Sequence, residues 1–74
     1  MLTLEQAAAR LRQRYSQAAE GEKVVSIHLF GIENAEAISA LSNKEIAVTA
    51  GLPESYSTEI GKGVKLARYV VLKD

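Results

Sequence analysis

The sequence predicts a mainly all-α domain, either four helices or three helices with a short strand at the C-terminus. Three observations point there. Apolar residues recur at three- and four-residue steps from Leu4 to Ala18 and again from Tyr56 to Ala67. Thr3 with Gln6 and Ser42 with Glu45 have the spacing of capping boxes, in which each side chain satisfies the other residue's orphan backbone N–H. Eleven alanines against one phenylalanine and no tryptophan favour helices packed close together around Leu, Ile, Val and three Tyr.

In chain order, the first helix starts at Thr3, presents Leu4, Ala7, Ala8, Leu11, Tyr15 and Ala18 as one stripe, and stops by Gly21. The segment Lys23–Phe30 fits two readings. Val25, Ile27 and Leu29 alternate with Ser26 and His28 as in a half-buried strand, whereas helical spacing gives a segment apolar nearly all round. Helix is the preferred reading because the segment runs on into "ENAEAI", and the central helix of a small core is covered on most sides. A short helix is predicted over residues 43–50, ending at Gly51 in the left-handed region that glycine enters cheaply. Leu52 follows as an apolar plug, and Pro53 suits the first position of a new helix carrying Tyr56, Ile60, Val64 and Ala67. Gly61 and Gly63 weaken that helix by about 1 kcal/mol each and predict an end near Lys62. "RYVVL", Arg68 to Leu72, has strand composition.

Seventy-four residues make a single domain, residues 1–74. No cysteine is present, which removes disulfides, thiolate chemistry and the usual zinc-finger ligand sets. No apolar run suits a signal peptide or a membrane span, so a cytoplasmic protein that does not engage membrane is expected. Nine basic residues balance nine acidic ones, whereas proteins that live by phosphate contacts usually carry a basic excess. The sole histidine, His28, cannot build a metal cluster and reads as a packed, hydrogen-bonded side chain. "GKG" at 61–63 lacks the frame of a phosphate loop. No cofactor and no catalytic activity are expected.

Residues 43–62 resemble the helix-turn-helix of bacterial regulators, and the whole chain is similar to short bacterial proteins described as HTH-like domains. The resemblance rests on Ala47 as the small residue of the first helix, Gly51 in the turn, Leu52 after it, and Ile60 as the apolar residue locking the second helix to the first. Ser57 stands where the family usually has Ile or Val. The resemblance implies double-stranded DNA as partner, transcription-linked, with the second helix in the major groove and Pro53, Glu54, Ser55, Thr58 and Glu59 near the bases, Lys62 further along. Lys62, Lys65 and Arg68 step by three and would meet phosphates, although an ordinary solvated face with Glu59 near Lys62 is the plainer reading. Arg10 and Arg14 also share a side, and Arg12 turns away from them. No Arg, Asn or Gln stands at the base-reading positions, so the set is poor for direct readout. The alternative is a protein-interaction module on the same scaffold, with a protein partner docking on Tyr56 or Tyr69 with Leu52 or Val70, although burial of these tyrosines in so small a core is the plainer reading. A domain of this size and composition is also expected to pair with a second copy.

Overall fold

The computed structural model describes residues 1–73 and contains α1 (Leu4–Gln17), α2 (Lys23–Asn34), α3 (Asn43–Thr49), a 3-10 turn (Glu54–Tyr56) and α4 (Ser57–Leu66). The start of α1 is the capping box expected: Gln6 N–H donates to Thr3 Oγ1 at 3.1 Å and Thr3 N–H to Gln6 Oε1 at 3.0 Å. Its end comes earlier than Gly21. Ala18 is already extended, and Lys23 Nζ donates to the Tyr15 carbonyl at 2.8 Å, satisfying one of the last orphan acceptors. Gly21, at φ +84°, turns the chain into α2 instead.

The segment Lys23–Phe30 is helix. Ser26, Ile27, Phe30, Gly31 and Asn34 are buried, a helical stripe, while Val25, which a strand would bury with Ile27, is half exposed. Turns follow through residue 40 and bury Ile38. At the other end of the chain the helix does not end near Lys62, and of the two architectures the four-helix one holds. The last helix passes both glycines and continues to Leu66, and residues 70–73 carry no regular structure, so the C-terminal strand is absent among the described residues. Strand composition needs a neighbouring strand to hydrogen-bond with, and this helical domain offers none.

Phe30, Leu11, Ile27, Ile38, Ile46 and Ile60 are fully buried and form the core, with Ala7, Ala8, Ala47 and Ala50 allowing the helices to approach. Each large side chain so buried contributes about 1.5–3 kcal/mol. The closest contact is between α2 and α4, where an added Cβ on Gly31 would stand 2.6 Å from the Ile60 carbonyl oxygen, and one on Gly63 would collide with the His28 carbonyl oxygen. Gly63 is therefore in α4 for proximity, not for flexibility.

Candidate nucleic-acid interface

The geometry of the α3–α4 unit begins with its turn. Ser42 Oγ accepts from Glu45 N–H at 3.2 Å; the return bond from the Glu45 side chain is not among the hydrogen bonds of the described residues, so this cap is half a box. Gly51, at φ +80°, donates to Val48 O at 3.0 Å while Leu52 N–H reaches back to Ala47 O at 2.9 Å. That pair of bonds is a Schellman close, and it requires the left-handed residue that Gly51 supplies. Two of the remaining α3 carbonyls are taken by Arg12 of α1: Nε donates to Ala50 O at 3.0 Å and Nη2 to Thr49 O at 3.3 Å. The sequence reading missed this role. A cation favours a helix C-terminus, but nothing local links Arg12 to a helix end 38 positions away.

Ala47 and Ile60 are buried and Leu52 is half-buried against the core, as the motif requires. Pro53 departs from expectation. At φ −55° and ψ 140° it precedes the 3-10 turn, and α4 begins only at Ser57, without a side-chain cap. Pro53, Glu54 and Ser55 thus lie exposed on the turn that leads into α4. Ser57, which stands in place of the motif's apolar residue, is half-buried at the first position of α4, and the neighbouring Tyr56 packs against Tyr15 with ring centroids 5.9 Å apart. A hydrogen bond to Tyr56, together with desolvation, raises the Tyr15 hydroxyl above its ordinary pKa of 10.0. Lys23 Nζ lies over the Tyr15 ring at 5.2 Å from its centroid. Tyr56 is half-buried in this packing.

On the outward side of α4, Thr58, Lys62 and Lys65 are exposed. A step of three residues turns about 60° back around a helix, so Lys62 and Lys65 flank one stripe with Thr58. Arg68 lies past the end of α4, in the turn that follows it, and rims a separate hollow with Glu36 and Val64. The expected ridge is therefore two lysines with Arg68 set apart.

Both glutamates of the leading region are held by partners. Glu54 Oε1 lies 3.6 Å from Lys44 Nζ. Glu59 is drawn toward α2, where His28 Nε2 meets its Oε1 at 2.7 Å, and Lys62 Nζ meets its Oε2 at 3.4 Å. The hydrogen bond from His28, helped by Lys62 and opposed by partial desolvation, lowers the Glu59 pKa below the ordinary 4.5. Beside this pair, His28, Lys62, Lys65, Leu66 and Tyr69 line a shallow hollow of about 340 Å³, with Tyr69 80% exposed.

Arg10 and Arg14 of α1 are committed to α2. Arg10 Nη1 donates to Asn34 Oδ1 at 3.1 Å, and Arg14 Nη2 pairs with Glu33 Oε2 at 3.4 Å. Among the described residues no cluster of three or more metal-ligating side chains occurs, and no helix is long and apolar enough to cross a membrane.

A turn of Schellman geometry, a short helix before it and an outward-facing helix after it are the parts of a helix-turn-helix, and a family model described as an HTH-like domain matches residues 3–73. The chain belongs to the HTH-like domain family. No curated protein and no solved structure matches the chain. The family match extends beyond the α3–α4 unit to α1 and α2, the helices that supply Arg12 to the turn and Gly31 to the crossing.

Proposed function

We propose that the chain is a transcription-linked, non-catalytic DNA-binding module whose α4 lies along the duplex, binding weakly or beside a partner. The observation that carries this reading is the outward stripe of Thr58, Lys62 and Lys65, with Pro53, Glu54 and Ser55 at its leading end and Glu59 drawn off it toward His28. Ser55, Thr58, Lys62 and Lys65 suit phosphate oxygens, and the lack of Arg, Asn or Gln among these positions makes backbone contact dominate over base readout. Zero net charge keeps the affinity low. With about two phosphates neutralised by Lys62 and Lys65, affinity falls about 12-fold from roughly 50 to roughly 200 mM salt.

Fluorescence anisotropy of a labelled duplex tests this. Lys62→Glu with Lys65→Glu abolishes binding while the thermal midpoint stays put. Unchanged affinity in that double variant removes α4 from the interface.

One observation favours a second reading, a protein-interaction module. The hollow beside Tyr69 and the half-exposed Leu66 gives an aromatic anchor with an apolar floor, the kind of spot that dominates protein interfaces. Under that reading Tyr69→Ala abolishes partner binding and the charge reversals change it little.

A further inference from the structure

We propose that the groove between the end of α2 and the segment Val70–Leu72 is an interface between two copies of this chain. The groove measures about 500 Å³; Ala35, Ala67, Val70 and Leu72 are among its apolar walls, and Glu33 and Glu36 also line it. A cavity of roughly 150 Å³ already holds a benzene-sized group, so valine side chains enter this one with room to spare. Val71, itself one of the lining residues, is 90% exposed and forms a knob on the groove's own rim. Its backbone N–H, and those of Leu72 and Lys73, donate to no backbone acceptor among the described residues.

A knob next to a groove on one surface is what a two-fold interface needs, since the knob of each copy enters the groove of the other. Charge agrees with this occupant. Glu36 rims the groove, and Glu36 and Arg68 both rim the adjoining hollow that shares Ala35 and Ala67. The patch carries both signs, and a two-fold rotation sets the acid of one copy against the base of the other. The chain's zero net charge leaves no long-range repulsion between copies. Ala67 faces away from Lys62 and Lys65 around α4, so pairing leaves the lysine stripe free.

A stable dimer buries about 800 Å² per partner, a sixth of this chain's 4834 Å² surface. Sedimentation equilibrium from about 10 µM to about 1 mM, without nucleic acid, tests the inference independently of the DNA reading. Dimer is expected to accumulate across that range. Val71→Asp stays monomeric with unchanged circular dichroism, Arg68→Glu weakens pairing at least about tenfold, a loss of one charge pair, and adding Glu36→Arg to it restores pairing. Wild-type protein that remains monomeric throughout, or a Val71→Asp variant that pairs as well as wild type, overturns it.

Discussion

Gly61 and Gly63 sit two residues apart in α4 and have opposite meanings. A Cβ on Gly61 would meet only Asn43 Nδ2 at 3.7 Å, an ordinary contact, whereas one on Gly63 would be driven into the His28 carbonyl and the Gly31 Cα of α2. One face of the helix is shaped by what must be absent, the other by what is free to vary. The inward face therefore fixes the position of α4 to within a methyl group, and the outward face carries the side chains available for binding.

The largest effect that this contrast predicts is at the crossing. Gly63→Ala costs about 3 kcal/mol, because the clash is with backbone on both sides and α2 must shift; the midpoint and slope of urea unfolding check it. Next comes the turn. Gly51→Ala forces a non-glycine residue to φ +80° and costs about 1–2 kcal/mol. Arg12→Ala strips two hydrogen bonds from the α3 carbonyls and costs about 1 kcal/mol, read in the same assay. Gly61→Ala has the opposite sign and stabilises by up to about 1 kcal/mol, through helix propensity and a less flexible unfolded chain. Should Gly61→Ala and Gly63→Ala destabilise alike, the crossing is not set by Gly63.

The smallest effect is pH-dependent. Glu59 has a folded pKa below its ordinary 4.5, so its contribution is complete above about pH 4.5 and is lost as pH falls through the lower folded value. Glu59→Gln therefore lowers the thermal midpoint at neutral pH, and the difference from wild type disappears in acid. A difference that persists unchanged at about pH 2 contradicts the assigned partnership with His28.

The starts of α1 and α3 and the end of α3 were legible in the sequence because capping and periodicity are local: Thr3 with Gln6, the stripe from Leu4 to Tyr15, Ser42 before α3 and Gly51 after it each act within a few residues. Helix and strand competed over Lys23–Phe30 because valine and isoleucine serve both; burial of Ser26, Phe30 and Asn34 on one side decides it. What was not legible depends on pairs distant in the chain. Gly31 and Gly63 look like breakers until they face each other, and Arg12 looks like a surface cation until α3 ends beneath it. The candidate site shows the same division. The lysine spacing was visible, but that Arg68 leaves the stripe and that Pro53 to Ser55 form a turn before α4 depend on where the helix begins and stops.

The central claim, that α4 presents its lysine stripe to DNA, is tested most directly by a backbone amide NMR titration with a generic duplex at low and then near-physiological salt. The prediction is a set of shifts centred on Ser55, Thr58, Lys62 and Lys65 that fades as salt rises. Shifts centred instead on α1, or none even at low salt, would contradict it and leave the hollow beside Tyr69 as the surface to pursue.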